Sequence, residues 1–242
     1  MKAIILAAGR GSRLGDITND HPKCLTELFG KTLLDWQIEA LNCAGISEIA
    51  IVRGYKKEKI DISNVIYFDN NNWDKTNMVM SLYEADEWLQ KYECIVSYSD
   101  IIYKSKVIDL LKNNDSDISI TYNTNWLKLW RVRFDDPLSD AESFKINSKG
   151  ILVEIGKKTS AVSEIQGQYM GILKIKPDGW KNIKKYIDGL SEQDKNSLDM
   201  TTLLNRLIEK GINIYAIPSD EQWLEVDSKE DLNLYKRLFK VF

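Results

Sequence analysis

Two glycines and two arginines follow the first apolar run of the chain, in Leu6-Ala7-Ala8-Gly9-Arg10-Gly11-Ser12-Arg13-Leu14. Small side chains let backbone N–H groups approach an anion, and Arg10 and Arg13 add charge beside them, so the segment reads as a phosphate cradle. Spacing separates the candidate loops. A dinucleotide fingerprint requires a third glycine where Leu14 stands, and a helix that opens inside the loop rather than beyond it. A Walker A loop ending in Gly30-Lys31-Thr32 requires a glycine at Leu25. A plain glycine turn with solvated charges is opposed by local charge: residues 1–31 hold Lys2, Arg10, Arg13, Lys23 and Lys31 against Asp16, Asp20 and Glu27. The whole chain carries 33 Lys and Arg against 36 Asp and Glu, so this basic corner is local and no nucleic-acid partner is expected. A lone histidine, His21, excludes a metal centre built on several imidazoles and leaves any Ser-His-Asp triad dependent on one residue. Cys24, Cys43 and Cys94 form no Cys-x-x-Cys pair, which argues for reduced, mostly buried thiols rather than a disulfide frame or structural zinc.

Such a loop needs a scaffold, and the hydrophobic pattern supplies one. Residues 2–7 form a short apolar β-type run, 32–44 place Leu33, Leu34, Ile38 and Leu41 at helical spacing, and 48–52 are again short and β-branched. Further strands are predicted at 65–68, 94–98, 118–122, 151–155, 169–175 and 212–217, with helices at about 77–89, 104–113, 199–210 and 228–239. This alternation predicts an α/β fold: a Rossmann-like, mostly parallel mixed sheet with helices on both faces. The stretch 125–176 shows strands in succession and no clear helix, so a small antiparallel excursion is expected there. With 242 residues, 43% of them hydrophobic, and no Pro-, Gly- or Ser-rich linker, residues 1–242 read as a single domain. The apolar run 3–8 is far short of the ~20 residues a membrane helix needs, so no membrane association and a cytoplasmic location are expected.

The glycine loop followed by Pro22-Lys23 resembles the signature of the nucleoside-diphosphosugar pyrophosphorylase (nucleotidyltransferase) family. The resemblance implies that Leu6, Ala7, Ala8, Gly9, Arg10, Gly11 and Ser12 wrap a nucleotide triphosphate while Arg13 and Lys23 neutralise it as the catalytic cations. Val96-Ser97-Tyr98-Ser99-Asp100 resembles the strand that delivers the family's metal-binding aspartate, with Ser99 beside the nucleotide; an acid at the carboxyl end of a strand is where open α/β sheets place ligands. Trp223-Leu224-Glu225-Val226-Asp227 is similar to a stretch of the cytidylyltransferase branch, and i, i+2 spacing on a strand puts Glu225 and Asp227 on one face. Asp100, Asp227 and Glu225 are thus the implied ligands of Mg²⁺, the ion expected among carboxylates and phosphates. Glu154-Ile155-Gly156-Lys157 resembles the stretch whose lysine meets the acceptor phosphate, and Gln168-Tyr169 the acceptor-side strand.

The segment Thr76-Asn77-Met78-Val79-Met80-Ser81-Leu82 resembles phosphocholine-type cytidylyltransferases, which favours cytosine over uracil, thymine or guanine. Asn77 offers a donor and an acceptor to a base edge, although an amide also caps a helix and a helix is predicted to start there. For the acceptor, two features compete. Trp126 and Trp130 suit an aromatic box for a quaternary ammonium, or the core. Arg131 and Arg133, on one face of a strand, suit a carboxylate or second anion, or exposed pairing with nearby acids. The implied reaction is transfer of CMP from CTP to a small phosphorylated acceptor, of phosphoglutamine or phosphocholine type, with release of pyrophosphate, for surface (capsule) polysaccharide modification. A phosphate nucleophile has its second pKa near 6 and needs no general base, so one histidine is no handicap. The reading allows a homodimer. Its alternatives are a sugar-1-phosphate nucleotidyltransferase using UTP or dTTP, and a catalytically silent nucleotide-binding module.

Overall fold

A computed structural model describes residues 1–240 and 242. Its strands in chain order are β1 (Lys2–Ala7), β2 (Glu27–Leu28), β3 (Lys31–Thr32), β4 (Ile49–Arg53), β5 (Ile66–Asp69), β6 (Cys94–Tyr98), β7 (Ile101–Tyr103), β8 (Ile118–Asn123), β9 (Glu142–Ile146), β10 (Leu152–Lys158), β11 (Gln168–Ile175), β12 (Tyr215–Ser219) and β13 (Trp223–Glu225). The helices are α1 (Leu33–Cys43), α2 (Met78–Tyr83), α3 (Asp86–Leu89), α4 (Ser105–Lys112), α5 (Trp126–Arg133), α6 (Pro177–Asp188), α7 (Glu192–Ser197), α8 (Met200–Glu209) and α9 (Lys229–Leu238).

Seven strands form the central sheet in the order β12-β8-β11-β6-β1-β4-β5. β11 runs antiparallel to β6 and β8, and the other pairings are parallel. The near-continuous apolar run of β1 follows from this position: Ala3 to Ala7 are buried at the middle of a sheet covered by helices, where a polar residue on either side would lose its solvent. The expected mostly parallel α/β sheet is therefore the one observed, and β9 and β10 supply the antiparallel excursion.

Within that excursion one expectation fails. Residues 126–133 form α5, so Arg131 and Arg133 stand on a helix and not on one face of a strand. Trp126 and Trp130 are 4% and 3% exposed, and burying two indoles one turn apart outweighs the strand preference of Trp and Val. The helix α6 was not foreseen at all, although Pro177 at its first turn and the buried stripe Trp180, Ile183 and Ile187 carry helical spacing. The predicted helix at 77–89 is two short helices, α2 and α3, separated at Glu84 and Ala85.

Two clusters make up the apolar interior. The larger follows the sheet. The smaller gathers Leu14, Leu28, Leu33, Ile102, Leu224, Val226, Leu232 and Tyr235 at the end of the molecule where the glycine loop lies. There β13 pairs antiparallel with β7, in the register Trp223 to Tyr103, Leu224 to Ile102 and Glu225 to Ile101. Cys24 and Cys94 are buried free thiols, and Cys43 is an exposed one. Among the described residues no helix is long and apolar enough to cross a membrane.

Candidate active site

The loop after β1 turns at Gly11, whose φ of 72° lies in the left-handed region. A Cβ there would sit 2.6 Å from Cβ of Lys23, so only glycine lets the lysine stem cross the loop. Lys23 opens a single 3₁₀ turn (Lys23–Leu25) and is buried. Its ammonium donates to Asp100 Oδ2 and to Asp227 Oδ1, each at 2.9 Å. Burial by itself lowers the Lys23 pKa, but the two carboxylates outweigh it and raise the value, so the ammonium stays charged. Arg13 donates from Nη2 to the same Asp227 Oδ1 at 2.7 Å, with a side chain that is 66% exposed and open to an incoming anion.

Asp100 occupies the tight turn between β6 and β7, and its carbonyl accepts the Val226 N–H at 2.9 Å, which fixes β13 and Asp227 beside it. Asp227 lies between β13 and the capping residue Ser228 of α9. Burial raises the Asp227 pKa, and Lys23, Arg13 and Arg133 more than reverse this, so the carboxyl is held below its usual range. Glu225 behaves in the opposite way, because burial and the neighbouring Asp227 charge push it up despite Arg133.

The carboxylates fit a divalent cation, though not as the expected trio. Asp100 Oδ1 is buried and has no hydrogen-bond partner, and Asp100 and Asp227 each send an oxygen to one cationic point, now the Lys23 ammonium. Among the described residues no three metal-binding side chains close on one point. Glu225 is instead drawn to Arg133 Nη1 at 3.1 Å. Asp100 and Asp227 are the pair that could hold a divalent cation.

Two clefts meet at this cluster. The first, about 290 Å³, is lined by Leu6, Ala8, Gly9, Gly11, Ser12, Arg13, Lys23, Asn77, Ser99 and Asp100 among the expected residues. Ala7 is buried in β1, and Arg10 turns outward to Asn19 Oδ1 at 3.0 Å, so neither lines it. Thr76, Met78 and Ser81 of the segment expected to favour cytosine line it as well, together with Trp73. The buried Asn70 amide donates to Thr76 Oγ1 and Ser81 Oγ at 2.9 and 3.1 Å and so folds this segment over the cleft. Asn77 caps α2, accepting the Met78 N–H at 2.7 Å, while lining both clefts.

The second cleft, about 360 Å³, shares Arg13, Asn77 and Met78 with the first and adds Tyr98, Trp130, Asp140, Glu142, Gln168, Tyr169, Asp199, Glu225 and Asp227. Of Lys157, Tyr169, Arg131 and Arg133, only Tyr169 is here, beside Gln168 of the same strand and Trp130 of the aromatic pair. Lys157 is exposed on β10 and pairs with Glu154 at 3.4 Å, because the β9–β10 hairpin carries it out to solvent. Arg131 is exposed on α5, and helical geometry points its neighbour Arg133 inward with a fully buried side chain. The expected basic wall is thus an acidic one. Asp199 is committed to capping α8 through Thr202, whereas Asp140 accepts the Trp130 indole N–H at 3.1 Å.

A comparison with protein-family models matches residues 3–134 to the MobA-like NTP transferase domain. The chain is 38% identical to a CTP:phosphoglutamine cytidylyltransferase of Campylobacter jejuni, across 97% of this chain and 98% of that one. It is 38% identical to a choline-phosphate cytidylyltransferase of Streptococcus pneumoniae over 38% of this chain and 47% of that one. Among solved structures, the inositol-1-phosphate CTP transferase from T. maritima shares the fold at a TM-score of 0.75 and 18% identity, covering 98% of this chain and 95% of that one. A family match over more than half of the chain and a relative aligned along nearly all of it place this protein in the MobA-like NTP transferase family of nucleotidyltransferases.

Proposed function

We propose that this protein transfers CMP from CTP to a small phosphorylated acceptor of the phosphoglutamine type, with release of pyrophosphate, and that residues 1–242 act as one nucleotidyltransferase domain. The observation that carries the reading is the pair of clefts meeting at Arg13, Lys23, Asp100 and Asp227, in a chain aligned end to end with a phosphoglutamine enzyme. CTP takes the first cleft, its phosphates along Gly9, Gly11 and Ser12 and its base toward Asn77. The acceptor takes the second. An acceptor phosphate oxygen forms a bond to the α-phosphorus as the bond to the bridging oxygen of pyrophosphate breaks. No proton need be removed, since the attacking phosphate is already ionised.

The protein's work is orientation and charge. Arg13 sits where the two clefts join and faces the triphosphate, and the Lys23 ammonium lies beside the reacting centre in a site too buried for water to screen it. Asp100 and Asp227 would hold Mg²⁺, which when bound would supply charge neutralisation for the triphosphate. The acidic wall revises the acceptor chemistry: Asp140 and Glu142 complement N–H groups, so the acceptor presents an ammonium or amide to this wall. Phosphoglutamine carries both kinds of nitrogen. The product is an activated group for surface polysaccharide modification, made in the cytoplasm.

A matrix of CTP, UTP, dTTP and GTP against phosphoglutamine, phosphocholine, phosphoethanolamine and glucose-1-phosphate, scored by pyrophosphate release, tests this. The expected maximum is CTP with phosphoglutamine. A maximum at UTP or dTTP with glucose-1-phosphate would replace the reading by a sugar-1-phosphate enzyme, and silence throughout by a binding module.

A further inference from the structure

Arg133 is the most completely enclosed cation of the site, with a fully buried side chain, and it touches neither cleft's glycine loop nor Arg13 or Lys23. Its guanidinium is shared by three carboxylates. Nε and Nη2 grip Asp231 at 2.9 and 3.2 Å, Nη1 reaches Glu225 at 3.1 Å, and Nη2 reaches Asp227 Oδ2 at 3.3 Å. Asp231 is itself fixed, because it closes the capping box of α9 and accepts the backbone N–H groups of Asp227 and Ser228 at 3.0 Å. Trp130 and Phe134 lie about the guanidinium with ring centroids 5.0 Å away.

From this geometry we infer that Arg133 is a positioning residue for the Asp100–Asp227 cation site. It ties down Oδ2 of Asp227 so that Oδ1 is the oxygen presented beside Asp100, and it withdraws Glu225 from that point. The inference rests on the reading of Asp227 as a cation ligand. The five-donor planar fork is the feature that matters: three carboxylates in three directions are met by one rigid plane, which a lysine ammonium on a flexible stem cannot reproduce. Outer partners of this kind orient the ligand oxygens, and losing one typically weakens cation affinity by about 10–100-fold. The same arginine stands on α5, one turn after nothing but apolar and basic residues, and α5 also carries Trp130, the aromatic wall of the second cleft. Trp130 stacks on Trp223 of β13, with centroids 5.8 Å apart and planes 14° from parallel. One short helix therefore sets both the acceptor wall and the aspartate.

Arg133→Lys keeps the charge and removes the fork, and Mn²⁺ binding followed by electron paramagnetic resonance of the free ion measures the consequence without any turnover. The expected result is Mn²⁺ affinity reduced by about 10–100-fold, with the Mg²⁺ concentration for half-maximal turnover raised in proportion and turnover restored in part by excess Mg²⁺. Asp231→Asn, which loosens the guanidinium while leaving the Asp227 side chain intact, shifts affinity in the same direction and serves if Arg133→Lys does not fold. Wild-type Mn²⁺ affinity in folded Arg133→Lys or Asp231→Asn, beside clear weakening in Asp227→Asn, would overturn the inference alone. Unchanged affinity in Asp227→Asn would overturn the metal reading and the inference with it.

Discussion

Lys23 shows how one residue can hold a fold together at the point where the proposed chemistry takes place. Its stem crosses Gly11 and its ammonium separates two carboxylates that would otherwise face each other away from solvent. Arg13 can be removed at little cost to the core because its side chain is largely exposed, and Lys23 cannot because its side chain is buried. Both substitutions to alanine are expected to lower kcat by about 10²–10³-fold, the scale of a lost electrostatic contact to transition-state charge. Their stabilities should differ. Lys23→Ala is expected to lose about 3–5 kcal/mol because it strands buried charge, and Arg13→Ala less than about 1 kcal/mol because its pairing is solvated. Steady-state kinetics beside urea unfolding of each variant measure the two effects separately.

At the scale of elements, α6, which escaped sequence reading, is a helix that tertiary contacts hold. The short helix α3 is joined to α6 by Asp86, whose carboxylate accepts the Trp180 indole N–H at 2.7 Å and pairs with Lys184 at 2.5 Å. Burial raises the Asp86 pKa, but Lys184, Trp180 and Gln90 outweigh it and hold the carboxyl below its usual range. A carboxyl depressed on folding contributes stability that is present above its unfolded pKa of about 3.9 and is lost as the pH falls through the folded value. Asp86→Asn is therefore expected to cost about 1 kcal/mol at pH 7. The difference from wild type should shrink as the pH is lowered below about 4. Urea unfolding of the pair across pH 3–7 checks both the size and the sign, and a gap that widens in acid would remove this carboxylate from the helix contact.

The whole molecule decides which acids meet. Asp100 follows a strand in the middle of the central sheet, and Asp227 follows closely on β13, a short strand that pairs with β7 in a separate two-stranded sheet. The small core of Leu14, Ile102, Leu224, Val226 and Tyr235 clamps this strand under the glycine loop. Leu224 is 1% exposed, and Leu224→Ala is expected to cost about 3 kcal/mol through lost burial and the cavity left behind. Because Asp227 follows two residues after β13, the Mg²⁺ concentration for half-maximal turnover should rise as well. Thermal unfolding with a Mg²⁺ titration of activity measures both, and a destabilised variant with an unchanged Mg²⁺ requirement would show that β13 is not what places the aspartate.

What the sequence by itself determined is local. The strand β1, the turn at Gly11, the cap of α2 at Asn77 and the succession of strands and helices depend on neighbours within a few residues, and spacing and residue type report such neighbours directly. Composition likewise excluded a multi-histidine centre and a disulfide frame. The tertiary structure alone decided the partners of the charges. Arg133 was read as a surface fork for the acceptor, because i, i+2 spacing names a face only once the element is known; as the last residue of α5 it points inward and meets three acids from β13 and α9. Lys157 keeps its place beside Glu154 yet is carried to solvent by the twist of a hairpin. The acidic wall of Asp140, Glu142 and Asp199 joins two segments far apart in the chain, which no spacing relates. Charges are long-ranged and unspecific about sequence distance, so which of them pair is settled only when the sheet has brought their strands together.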